Sequence, residues 1–180
     1  MNNLVCRALF PLQTQLYLVT LVISFFHQLF GEADPLKKTP QQIEEALRRW
    51  RVIPDVIDAA PKKAVKVYYE SEVFPDFGNK IHADDAEKEP YMIEWDSNEE
   101  KYYLLLMVDP DVPTQANPVH GQYEHFVVGN IQYGNMIRGT YLSDYVGPHL
   151  LPQTGYHRFV FLIYEQPEEM EFSEKRITWT

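Results

Sequence analysis

KYYLLLMVDPDVP at Lys101–Pro113, EHFVVGNI at Glu124–Ile131 and TGYHRFVFLIYEQ at Thr154–Gln166 decide the fold. Each pairs a β-branched or aromatic run with a cluster of Asp, His, Gly or Pro. Such runs suit strands buried in a sheet. Pro110 and Pro113 cannot donate to a ladder, so pairing stops where the first run ends. The polar clusters therefore fall at strand ends, where a rigid core holds loops that form sites.

Working outward, Val65, Val67 and Tyr69 alternate with polar residues and predict a strand over Ala64–Glu70. Tyr91–Trp95 reads as another, and Met136–Leu142 as a strand after the turn Tyr133-Gly134-Asn135. Gly129 inside an apolar run marks a bulge or a close backbone approach. Phe74–Glu89 reads as loops with one short strand. Thr39-Pro40-Gln41-Gln42 is a helix start with a capping box. Ile43, Leu47 and Trp50 then share one helical face, and Pro54 is expected to end the helix. The fold class expected is mainly β.

The 180 residues suffice for one domain with a core. A net charge of −10 argues against a general nucleic-acid partner, which needs basic surface. A single cysteine, Cys6, excludes an intramolecular disulfide. Arg7, the apolar run Leu16–Phe26 and Gly31-Glu32-Ala33 have the layout of a secretory signal cut after Ala33. An uncleaved anchor and a functionless upstream extension are the alternatives. The expected plan is a signal over 1–33, a linker and helix over 34–63, and a β domain over 64–180. Secretion is the expected localisation, with the cytoplasm as alternative.

Asp109 and Asp111 flank Pro110. One is expected to face a cavity while the other caps a turn. The plainer reading makes both turn formers. His125 and His157 each open an apolar strand, and Arg158 follows His157. With Asp109 at the end of a third strand, the two are expected to converge at one sheet edge. A carboxylate there fixes an imidazole tautomer and favours its charged form. An N–H-donating imidazole suits a phosphate or carboxylate oxygen. No P-loop, nucleophile elbow or zinc spacing is present, so neither a cofactor nor a metal is expected.

DPDVP, HFVVGNI, GTYLSDYVGP and HRFVFLIYEQ together resemble the phosphatidylethanolamine-binding protein family, over about Val52 to Gln166. Val52–Pro61 is similar to the start of insect members. The resemblance implies a large central antiparallel sheet, a second smaller sheet and peripheral helices. It also implies an anion cavity at one end of the sheet that takes phosphate, acetate or a phosphoethanolamine head group. Asp109, Asp111, His125 and His157 match positions at or beside that cavity. With Tyr123, Pro148 and His149 they form the expected ligand-binding set. Such proteins bind and regulate kinases, proteases or lipids and are not established enzymes.

The sequence departs from the family pattern at Tyr123-Glu124, where Trp and His are usual, and along Pro148–Gly155, where leucines replace glycines. Phe159 stands where an aromatic hydroxyl is usual. The segment after Gln166 is shorter than the family's further strand and C-terminal helix. Three functions are weighed: a binder of anionic head groups, a protein-contact regulator with a vestigial pocket, and a metal-dependent hydrolase built on the two Asp and two His.

Overall fold

The computed structural model describes residues 37–149 and 154–172. The chain divides into two units, Met1–Asp34 and Pro35–Thr180, and every described residue belongs to the second. The expected secretory signal lies outside the described residues, as do Leu150, Leu151 and the final eight positions.

Four strands build the main sheet: β3 (Tyr102–Asp109), β4 (Tyr123–Ile131), β5 (Thr140–Ser143) and β6 (Val160–Gln166), ordered β5-β4-β3-β6 and antiparallel throughout. β1 (Lys66–Tyr68) and β2 (Met92–Glu94) pair antiparallel in a second, two-stranded sheet. The side-chain period of two sends alternate residues of β3 to opposite faces. Tyr103, Leu105 and Met107 join Val67, Ile93, Phe126 and Val128 in the larger core, between the two sheets. Leu106 and Val108 join Val160 and Leu162 on the other face, under Leu47, Val52, Val56 and Ile57.

Those last four belong to the helical segment. α1 (Pro40–Arg49) starts as predicted: Thr39 Oγ1 accepts from Gln42 N–H, while Gln42 Oε1 accepts from Thr39 N–H at 2.8 Å. Ile43 is fully buried, as its face requires. Pro54 does not end this helix. It stops at Arg49, Arg51 adopts a left-handed φ of 56°, and a separate helical turn, α2 (Val52–Asp55), follows. Trp50 packs over Gly78, where a Cβ would collide with its indole.

Other boundaries differ from expectation. The strand expected from Met136 begins only at Thr140, after a 3-10 turn, Met136–Arg138, capped by the Asn135 side chain. Phe74–Glu89 holds a 3-10 turn, Ala83–Ala86, and no strand among its residues. The bulge expected at Gly129 is present. Two residue steps on β3, Tyr103 to Leu105, oppose three on β4, Val128 to Ile131. That shift of parity lets Phe126, Val128 and Ile131 share one face. A Cβ on Gly129 would strike the Phe172 ring.

Candidate functional site

The C-terminal end of β3 and the N-terminal ends of β4 and β6 meet at one end of the main sheet, because both neighbours of β3 run antiparallel to it. Asp109 is the Cα partner of Tyr123, and Val108 that of Val160. His157, Arg158 and Phe159 immediately precede β6. A second bulge falls here. Met107 pairs with Phe126 and Val108 with Glu124, leaving His125 as the extra residue. Bulges re-aim side chains. His125 accordingly meets Phe159, which packs on the same core as Phe126.

Four rings form one cluster. Tyr123 and Phe159 each contact His125 edge to face, with centroids 5.0 Å apart in both cases. His157 stacks on Phe159 with centroids 6.5 Å apart. The sequence-predicted convergence of His125, His157 and Asp109 is therefore present, with Phe159 as the bridge between the imidazoles.

Each imidazole is oriented through Nδ1. His125 Nδ1–H donates to the Val146 carbonyl at 2.7 Å, and Val146 N–H donates back to the His125 carbonyl at 2.8 Å. His157 Nδ1–H donates to Asp109 Oδ2 at 2.6 Å. Asp109 Oδ1 accepts from Asp111 N–H at 2.7 Å. Both rings thus turn Nε2 away from these partners. His157 Nε2 is buried with no partner among the described residues. A buried polar atom without a partner costs about 1–3 kcal/mol, so its persistence is a feature to explain. Burial pushes the His125 pKa below the usual imidazole value; the Val146 hydrogen bond and the Asp109 charge oppose this without reversing it.

Asp111 goes elsewhere. Its carboxylate is fully buried and receives Arg158 through Nε at 3.0 Å, Nη2 at 2.6 Å and backbone N–H at 2.8 Å. Arg158 Nη1 donates to Asp55 Oδ2 and to the Trp50 carbonyl, both at 2.9 Å. Asp111 is a clamp for the residue after His157, and it caps no turn. Asp109 instead holds the turn through Asp111 N–H, and its other oxygen meets the His157 imidazole where a cavity-facing carboxylate was expected.

Tyr123 is half-buried beside His125. Pro148 is half-buried and follows the Val146 carbonyl closely along the chain. His149 is exposed and has no hydrogen bond or ion pair to another described residue. Sequence reasoning missed the reach of Arg158, the part of Asp55 and the Val146 carbonyl. An arginine opening an apolar strand is a usable signal, since a buried guanidinium demands carboxylates. Asp55 lies 103 residues away from Arg158 and left no such trace. Among the described residues, no three His, Cys, Asp or Glu side chains are grouped to hold a metal ion.

Residues 70–179, more than half of the chain, match the family profile described as phosphatidylethanolamine-binding protein. The chain belongs to the phosphatidylethanolamine-binding protein family. The match runs past Gln166, where the motif resemblance stopped. A phosphatidylethanolamine-binding protein from Plasmodium vivax superposes with a TM-score of 0.61 at 28% identity, covering 66% of this chain and 68% of that one. The structure of a carboxypeptidase Y inhibitor complexed with its cognate proteinase gives a TM-score of 0.68 at 22% identity, over 75% of this chain and 78% of that one. This second likeness speaks to fold alone. A Drosophila melanogaster relative named "Putative odorant-binding protein A5" is 25% identical over 137 residues, 76% of this chain. The match covers 65% of that relative, so the chain spans less than two thirds of its length. Phosphatidylethanolamine-binding proteins are in general binders and inhibitors, and the mainly β fold with two antiparallel sheets is theirs.

Proposed function

We propose that this chain binds a small phosphate- or carboxylate-type anion, such as a phosphoethanolamine head group, between His125 and His157, and that it regulates a kinase or protease. The observation that carries the reading is the buried, unpartnered Nε2 of His157 in the ring cluster that contains His125. Because His157 Nδ1–H is already given to Asp109, donation from Nε2 to an anion oxygen uses the imidazolium form. Phosphate oxygens satisfy two such donors at once. Tyr123, Pro148 and His149 form the rim in this reading, and Asp111 acts only through Arg158. The domain plan belongs to the proposal too: a secretory signal over 1–33, a linker and helix over 34–63 and the binding domain over 64–180.

Calorimetric titration of the full chain with phosphorylethanolamine, and separately with inorganic phosphate, tests the site. Saturable heat that disappears in His125→Ala supports it. No heat for the intact, folded chain sinks it.

Phe159 supports a second reading, that the pocket is vestigial and protein contact is the function. It lies against both imidazoles and carries no hydroxyl to offer an anion. The carboxypeptidase Y inhibitor, complexed with its proteinase, exemplifies such use of this fold. Protease or kinase inhibition left intact by His125→Ala, with no anion bound, selects this reading.

A further inference from the structure

A concavity of about 810 Å³ opens beside Pro110 and includes none of the imidazoles. Its size falls within the roughly 300–1,000 Å³ typical of small-molecule sites. Pro110, Pro118 and Val119 supply apolar wall, and Val119 is 64% exposed.

Three charged side chains face this cleft: Arg51, Asp55 and Arg158. They are unequally satisfied. Arg158 is committed to Asp111, Asp55 and the Trp50 carbonyl. Asp55 gives its Oδ2 to Arg158 at 2.9 Å and its Oδ1 to Arg51 at 3.3 Å. Burial works to raise the Asp55 pKa, but Arg158 and Arg51 outweigh it and hold the carboxyl low, hence ionised. Among the described residues the Arg51 side chain has only that long contact, and it is 75% exposed. A guanidinium carries five N–H donors in a fork that matches a carboxylate. Most of the Arg51 fork is therefore uncommitted to described residues, at the lip of a cleft that is about half apolar, on a chain whose net charge is −10.

We propose that this cleft is a second ligand site, for a small organic acid with an apolar body. Its carboxylate pairs fork to fork with Arg51, and its body lies along Pro110, Pro118 and Val119. A carboxylate fits better than a phosphate. Asp55 stands beside Arg51, and a dianion meets about twice the repulsion of a single charge there. The site shares no side chain with the imidazole cluster and stands or falls separately from the anion reading.

The test titrates hexanoate, and hexanamide as its uncharged analogue, into the full chain and follows backbone amide shifts by NMR. Hexanoate is expected to shift Arg51 and residues 115–122, with hexanamide weaker by roughly tenfold, the loss of one charge-assisted pair. Arg51→Gln should weaken hexanoate by a similar factor. Val119→Asp, at an exposed position that does not threaten folding, should abolish binding by adding a like charge to the wall. His125→Ala should leave it unchanged. Equal affinity for acid and amide overturns the proposal, as do shifts centred on His125 and His157, an unaffected Arg51→Gln, or no shift in the folded chain.

Discussion

Asp109 and Asp111 sit two residues apart, both essentially inaccessible, yet they belong to different parts of the molecule. Asp109 serves the ring cluster, where it orients His157 and leaves one imidazole nitrogen unpartnered. Asp111 serves a closed network, in which Arg158 ties β6 to α2 and to the carbonyl of Trp50. The first region is polar and unfinished; the second is polar and complete. A buried network with every member satisfied contributes rigidity, whereas an unfinished one invites a guest.

The comparison breaks most severely at Asp111. Asp111→Ala leaves the Arg158 guanidinium, 14% exposed, without its bidentate partner. Removal of one member of such a pair costs about 3–5 kcal/mol. Urea unfolding should show that loss, and a loss under about 1 kcal/mol would mean the network is looser than its geometry, since that is the worth of an exposed pair. Asp109→Asn comes next. Its amide oxygen still accepts from Asp111 N–H, so the stability cost should be smaller, about 1–3 kcal/mol. Its larger effect should fall on anion affinity, weaker by on the order of tenfold because the charge-assisted hydrogen bond that orients His157 becomes a neutral one. Equal losses of stability from the two variants would erase the distinction between the regions.

A pH series sharpens the comparison further. Burial places His125 below the ordinary imidazole value of about 6.5. The unfolded chain then binds a proton near that pH, while the folded chain binds it only at lower pH. The stabilising contribution of neutral His125 is complete above about 6.5 and is lost as pH falls toward the folded-state value. Anion binding runs the opposite way. An anion favours the imidazolium, so affinity should rise over the same window with uptake of a proton. Calorimetry in buffers of different ionisation heat reads that uptake directly, and His125→Gln should remove it. The smallest effect expected is from Phe159→Tyr. A hydroxyl placed beside both imidazoles adds one donor, worth about 0.5–1.5 kcal/mol in anion affinity. A decrease would indicate that the Phe159 ring already occupies the space a guest needs.

Much of this arrangement was legible along the chain. The strands at Tyr102–Asp109, Tyr123–Ile131 and Val160–Gln166 follow from apolar runs, and α1 begins at the capping box read from Thr39 and Gln42. Boundaries were less legible where local devices compete. Asn135 caps a 3-10 turn in place of the expected strand, and Arg51 turns the chain before Pro54 is reached. The meeting of Asp109, His125 and His157 was foreseeable because an antiparallel sheet returns alternate strand ends to one side. Which partner each aspartate takes was not, because nothing in Asp-Pro-Asp distinguishes them.

Periodicity, capping and the placement of proline are local properties, and they were enough to specify the three long strands, the start of the first helix and the end of the sheet that gathers polar residues. Partner choice is not local. Whether a carboxylate meets an imidazole or a guanidinium, which ring nitrogen stays unpaired, and that a second bulge turns His125 toward Phe159 all depend on register between strands. Arg158 reaches Asp111 across 47 residues and Asp55 across 103, and those pairings exist only once packing has brought the segments together.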